Sequence, residues 1–418
     1  MKIVLFLHEL ALGGTTVNAI ELATVLRDAH GCDVILFAPR GPMLELVTRS
    51  RLRYVEAPAA DMHPCPARMK ALRALVRSER PALVYVWETW ALMDAYCAVH
   101  VPMRVPILLT DMQMHVARLL PRAVPTTFGT PELVEKARAG GSRNVSLLLP
   151  PIDVLANAPG IHVPAQARAN FGVTANETLV VIVSRLVHSM KGESLHHAID
   201  AVAALGRDFP IRLLIVGDGL AREELISRAT AINADLQREA ISLPGALLDP
   251  GPAYAAADIV VGMGSSAIRA MAYGKPVVVV GESGFAATLT PETAPTFLHQ
   301  GFFGRGNGES DAERLLYEIR GLMESPERRD LLGKFSSQLV RTHFCLDVVA
   351  RQLKLLCNAA ATARPRFIDV MFDCFRTGAI YLRERRFLWR VGPSIEIPLL
   401  DAVASASPPK HASVKGSC

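Results

Sequence analysis

Three short stretches carry residue types that could hold a diphosphate. The first is Gly13-Gly14-Thr15-Thr16, between the apolar run KIVLFLH and the helical stretch NAIELATVLRDAH. Glycines let a backbone approach a ligand closely, and a helix N-terminus favours an anion. The second runs from Ser184-Arg185 to Lys191-Gly192 across another strand-to-helix turn. An Arg forks over phosphate oxygens, and a Lys adds a point charge. The third, DIVVGMGSSAIRAMAYGKPVVVVGE at 258–282, reads strand, glycine turn, helix, strand, acid. Taken singly, each is compatible with an ordinary tight turn or a solvated charge.

The elements around them fit that chemistry. Short apolar runs alternate with helical segments: KIVLFLH, CDVILFAP, PALVYVW, VPILLT and VSLLLPP in the first half, then LVVIVSR, IRLLIVGDG, EAISLPG, DIVVGMG and KPVVVVGE. Buried runs of this length separated by helices predict parallel sheets covered on both faces. The fold class is therefore α/β, with two doubly wound, Rossmann-like domains facing across a cleft. The expected boundaries are 1–155 for the first domain and 165–345 for the second. The proline-rich stretch 151–165 reads as the linker. Residues 346–400 read as helices broken at Pro365, and 401–418 as a disordered tail.

Composition narrows the class. The chain has 418 residues, half of them hydrophobic, and a net charge of +5. That balance fits anionic ligands and is too weak to argue for nucleic acid. The seven cysteines include no C-x-x-C pair, which argues against a zinc site or disulfide framework and suits a reducing cytoplasm. His8 and Glu9 interrupt the first apolar run, so it reads as a buried strand rather than a signal peptide. No apolar stretch approaches the ~20 residues of a bilayer span.

In their order along the chain, the pieces resemble family 4 retaining glycosyltransferases of the GT-B fold. The matching residues are Gly13-Gly14, then Ser184-Arg185-Leu186 with Lys191-Gly192, then Val216-Gly217-Asp218-Gly219, then Leu243-Pro244-Gly245. Tyr254 to Val261 with Asp258, and Ala270-Met271-Ala272-Tyr273-Gly274-Lys275-Pro276-Val277-Val278, complete the set. The resemblance implies a hexosyltransferase that uses a nucleotide-sugar donor as substrate, without metal or other cofactor. The acceptor would be a glycan, a lipid or a small molecule. Gly13, Gly14, Arg185, Lys191, Gly264, Ser265 and Ser266 would hold the diphosphate, and Pro244 would lie near the base. The last helices would cross back onto the first domain. The absence of D-x-D and of G-K-[ST] agrees with this.

Two positions depart from the pattern. The family carries Glu before A-M-A to bind the donor ribose; here Arg269 stands there. Arg cannot accept a hydroxyl hydrogen, and would pair with phosphate or with Glu282. The family often has His after the strand VPILLT; here Asp111 stands there, with His115 four residues on. If 111–115 were helical, both would share one face, making Asp111 and His115 catalytic candidates beside Arg185 and Lys191.

Other functions fit parts of the sequence. Gly262-x-Gly264-x-x-Ala267 with Glu282 satisfies a dinucleotide fingerprint and would suit an NAD-dependent oxidoreductase. That fingerprint usually opens its unit, however, and leaves Arg185, Lys191 and the G-D-G piece without a role. The glycosyltransferase reading ranks ahead; Glu282 could still bind donor sugar or ribose. A non-catalytic GT-B protein or a sugar-nucleotide epimerase would share the same two-domain fold. Two basic segments, Lys70-Arg73-Arg77-Arg80 and Arg383-Arg385-Arg386-Arg390 with Phe387, Leu388 and Trp389, read either as solvated or docking helices or as peripheral contacts to anionic lipid.

Overall fold

The computed structural model describes residues 1–60, 62–188, 191–308, 313–363 and 367–391, the side chains of 367 and 384–391 excepted. Seven parallel strands form the first sheet: β1 (Lys2–Leu7), β2 (Asp33–Ala38), β3 (Arg53–Glu56), β4 (Leu83–Trp87), β5 (Ile107–Asp111), β6 (Thr126–Phe128) and β7 (Val145–Leu147). Their order is β3-β2-β1-β4-β5-β6-β7. β1 and β4 are buried along nearly their whole length, as expected of strands covered by helices on both faces. The order reverses between β1 and β4, which opens a crevice at their carboxyl ends.

The second sheet holds β8 (Thr178–Val183), β9 (Ile211–Val216), β10 (Ile241–Gly245), β11 (Ile259–Gly262), β12 (Val277–Val280) and β13 (Ala286–Thr288). Its order is β10-β9-β8-β11-β12-β13, parallel except for the antiparallel last pair. The reversal falls between β8 and β11. The Arg185 turn and the Gly264 turn leave from those two strands.

Some elements lack a sequence signal for physical reasons. β6 and β13 are three residues each, and β3 is an exposed edge. The helix Thr89–Ala95 is buried at every position, so it shows no amphipathic period.

The chain crosses between domains twice at one place. Ile152 bridges Cys345, with Ile152 N–H donating to Phe344 O and Leu346 N–H donating to Ile152 O. The helix Leu346–Thr362 then packs Val349, Ala350, Leu353 and Cys357 into the core of the first domain. The helix Phe367–Val391 lies across that domain as well, donating from Arg376 to Arg118 O and from Tyr381 Oη to His63 O.

Two charged residues of the sequence pattern are structural. Asp258 accepts from Arg168 Nη1 and from Leu179 N–H, both at 2.8 Å. Arg168 also donates to the carbonyls of Ala256, Thr174 and Glu177. Lys275 Nζ donates to Ala255 O and Ala257 O at 2.9 and 2.8 Å. Both clamp the entrance to β11 from outside the cleft. Arg168→Met would leave Asp258 without its cation and cost about 2 kcal/mol of stability. Urea denaturation should show that loss.

Candidate functional site

The carboxyl ends of the two sheets face each other, and two helix N-termini meet there. The helix Gly14–Asp28 begins in the first domain and the helix Ser265–Ala272 in the second. A Cβ at Gly14 would lie 2.2 Å from Ser265 Oγ. A side chain at position 14 would push the Ser265 hydroxyl aside and crowd its Cβ, at 3.0 Å. Each N-terminus carries a partial positive charge and unpaired N–H groups. Ser265 keeps its hydroxyl at this contact. The Ser266 hydroxyl instead turns back to Met263 O at 3.0 Å.

The Arg185 turn is seated on the glycines of Val216-Gly217-Asp218-Gly219. A Cβ at Gly217 or Gly219 would fall 1.8 Å from Ser184 O or 2.2 Å from Leu186 O. Leu186 N–H donates to Asp218 O and Ala221 N–H to Leu186 O, locking the turn flat against them. These glycines act by packing beneath a cationic turn. From that turn Arg185 is exposed, while Lys191 is half-buried. Burial first, and then the Arg185 charge, push the Lys191 amine down to about 8. Ser189 and Met190, between them, lie outside the described residues.

The first domain answers with carboxylates at the ends of three neighbouring strands. Glu9 follows β1, Glu88 follows β4, and Asp111 ends β5. Burial raises the Glu88 carboxyl to about 7, Glu9 and Asp111 add to that, and Arg185 opposes it. Burial raises Glu9 too, again opposed by Arg185. Arg185 thus acts across the cleft on both. Glu88 is held at φ 71 and ψ 151, a conformation that costs a non-glycine residue about 1–3 kcal/mol. Neither Glu9 nor Glu88 stands out by motif. The available signal was position: an acid immediately after an apolar strand, at the reversal point of the sheet.

Asp111 and His115 do not share a helical face. Residues 113–115 run as bends, and Asp111 is fully buried. It accepts from Thr89 Oγ1 and Gln113 N–H, both at 3.0 Å. Burial raises its pKa; those two bonds and the nearby His115 temper the rise. The helix expected there does not form because Asp111 turns the chain by capping the amide two residues on.

Arg269 does not meet Glu282. Glu282 is bound by Arg305 Nε at 2.9 Å. Arg269 points to the other domain, its Nη2 4.0 Å from Glu21 Oε1. Burial lifts Glu21 to about 7, Arg269 opposes the rise, and Asp153 in the linker adds to it. The pair therefore bridges the two domains near the crossover. Pro244 ends β10, exposed, at the far edge of the second sheet. Gly13 lies in open space before the first helix, with its carbonyl accepting from Val17 N–H. A cavity of about 80 Å³ opens between the domains behind Ser265, lined by Thr15, Asn18, Met112, Thr130 and Phe302. Asn18 is 2% exposed, and its side-chain carbonyl has no protein partner.

Among the described residues, no group of three or more His, Cys, Asp or Glu could hold a metal ion. The arrangement suits an elongated polyanion: two side-chain cations on the second domain, a helix N-terminus from each domain, and carboxylates for hydroxyl groups on the first.

Residues 177–316 match the family described as Glycosyl transferases group 1. No curated protein matches the chain. Among solved structures, the chain is similar to a glycosyltransferase from Rickettsia africae, with TM-score 0.69 and 14% identity over 87% of this chain and 99% of that one. It is also similar to Anabaena HepE in complex with UDP-glucose, with TM-score 0.68 and 17% identity over 86% and 100%. A UDP-GlcNAc 2-epimerase from Neisseria meningitidis bound to UDP-GlcNAc gives TM-score 0.59 and 13% identity over 86% and 100%. The protein has the GT-B fold, and its second domain carries the group 1 glycosyltransferase match.

Two outcomes follow from the contacts between the domains. Gly14→Ala would displace the Ser265 hydroxyl and crowd the contact, so affinity for a diphosphate probe should fall by roughly severalfold with little change in melting temperature. Arg269→Ala removes a pair that exists only when Glu21 is ionised. Its cost should be on the order of 1 kcal/mol at pH 8 and close to nothing at pH 5, read from denaturation at both pH values. Equal loss at both would show that the pair contributes nothing electrostatic.

Proposed function

We propose that this protein is a family 4, metal-independent, retaining glycosyltransferase that moves a hexosyl group from a nucleotide sugar to an acceptor hydroxyl. The observation that carries the reading is the Arg185 and Lys191 turn, whose Arg185 charge reaches Glu9 and Glu88 across a cleft in which two helix N-termini also abut. Such a cleft is built for a diphosphate, and for a diphosphate that leaves. As the bond from the sugar's anomeric carbon to the leaving phosphate oxygen breaks, negative charge grows on that oxygen. Preorganised cations and N–H groups stabilise it more than they stabilise the ground state. The acceptor oxygen then bonds to the anomeric carbon from the same face, and its proton passes to the departing diphosphate. Glu88 and Glu9 stand opposite Arg185, where carboxylates orient hydroxyl groups, and the buried Asp111 lies near Glu88. HepE's complex with UDP-glucose supports a nucleotide-hexose donor.

Lys191 makes the reading testable by pH. Burial and the Arg185 charge hold its amine down to about 8, whereas a bound diphosphate would hold the proton on. Donor affinity should therefore weaken toward tenfold per pH unit above 8, separate from any change as Glu88 ionises near 7. Calorimetry without metal against UDP-, GDP- and ADP-sugars, with NAD as control, reads this directly. Lys191→Met should abolish the loss above pH 8. Arg185→Ala should weaken binding by roughly 10–100-fold. Binding of NAD alone would overturn the reading in favour of the dinucleotide one. Turnover of the free sugar nucleotide without acceptor would favour the epimerase.

A further inference from the structure

The last described helix, Phe367–Val391, is packed inside out. Its polar side faces the protein. Asp373 is 6% exposed and accepts from Ala123 N–H, and Thr377 is 2% exposed. One and two turns on, Arg376 donates to Arg118 O and Leu120 O, and Tyr381 donates to His63 O. The Val370 carbonyl accepts from Tyr96 Oη. Its apolar side faces out. Ile368, Phe372, Phe375 and Leu382 recur at helical spacing and are 68%, 78%, 81% and 60% exposed, with Met371 beside them at 50%. Met62, next to the Tyr381 contact, extends the apolar surface. A helix that only had to dock would bury its phenylalanines and expose its aspartate. A continuous stripe of this kind marks a surface that something apolar covers.

The charges around the stripe select what covers it. Arg118 and Arg122 are exposed on the loop beneath the helix, and Arg383 is exposed near its end. The sequence from 383 reads RERRFLWR, with four arginines, three large apolar residues and one acid, Glu384. Against the arginines also stands Asp369, exposed at the helix start. A second copy of the chain docking through the same stripe would bring two arginine-rich rims together, which isologous pairing disfavours. An anionic bilayer surface satisfies both halves: acyl chains take the phenylalanines, and lipid phosphates take the arginines. The other basic segment, Lys70 to Arg80, does not present a free row. Arg73 is turned inward onto Cys97 O and Ala98 O. No helix among the described residues is long and apolar enough to cross a membrane.

We propose that the helix from residue 367 lies in the surface of an anionic membrane through Ile368, Phe372, Phe375 and Leu382, with Arg118, Arg122 and Arg383 on lipid phosphates. This rests on the helix and the arginines beside it and does not depend on the reaction proposed above.

The test is sedimentation of the full chain with vesicles of phosphatidylcholine alone and with about one-third phosphatidylglycerol. The protein should pellet with the anionic vesicles and be partly released by salt. Phe372→Asp with Phe375→Asp should cut binding at least about tenfold, with melting midpoint and nucleotide-sugar affinity unchanged. If that variant does not fold, Arg118→Glu with Arg383→Glu decides instead, since both side chains are exposed; it should cut binding to anionic vesicles by a similar factor. Wild-type protein that stays in the supernatant overturns the proposal. So does binding that survives the variant that folds. A concentration-dependent dimer abolished by the phenylalanine changes would assign the stripe to a second copy and overturn it equally.

Discussion

The charge of Arg185, set against carboxylates of the other domain, is the interaction around which this cleft is arranged. Arg185 acts on Lys191 within its own domain and on Glu9 and Glu88 across the cleft, while the N-termini of two helices meet at Gly14 and Ser265. Burial first, and then the Arg185 charge, hold the Lys191 amine down. The domains are joined at other points as well. The chain crosses between them at Ile152 and Cys345, and Glu21 with Arg269 bridges them beside that crossing. Burial keeps the pKa values of Glu9 and Glu88 raised, so these acids offset the Arg185 charge only in part.

The same constraint accounts for the glycines. Gly14 admits Ser265 at contact distance, and Gly217 and Gly219 admit the Arg185 turn. A methyl group would displace the Ser265 hydroxyl at the first place and the Arg185 turn at the other two. The glycines thus convert backbone proximity into electrostatic placement. Asp258 and Lys275, equally prominent in the sequence, serve the opposite purpose. They tie strand ends down outside the cleft, through backbone carbonyls and Arg168.

What could be read from the sequence follows from this division. The alternating buried strands and the turns at 13–14, 184–188 and 262–266 were legible because parallel sheets need continuous apolar runs and these strand-to-helix turns carry glycine or charged residues. β3, β6 and β13 were not, being short or at an edge. The helix Thr89–Ala95 was not, because complete burial erases its period. Within the site, Arg185 and Lys191 carried a local pattern. Glu9 and Glu88 did not, since their meaning comes from where β1 and β4 end relative to another domain. Asp111 was visible, but its geometry was not. A helical reading of 111–115 has no way to register that a buried carboxylate bonds the amide two residues on.

Arg269 shows how a departure from a pattern can be absorbed. A carboxylate at this position would face Glu21, itself half-buried and already held near pH 7. Two acids there would repel, and one would stay protonated. With arginine, the position gains a bond across the domain interface instead. A ligand that needs a hydroxyl acceptor near this helix must then find it elsewhere. Glu282 stands at the end of β12, next to the helix-bearing β11, but is engaged by Arg305. Arg305 is three-quarters exposed, and a solvent-exposed pair of this kind is worth at most about 1 kcal/mol. The Glu282 carboxylate is thus held only weakly, at the end of the strand beside the one that bears the Arg269 helix.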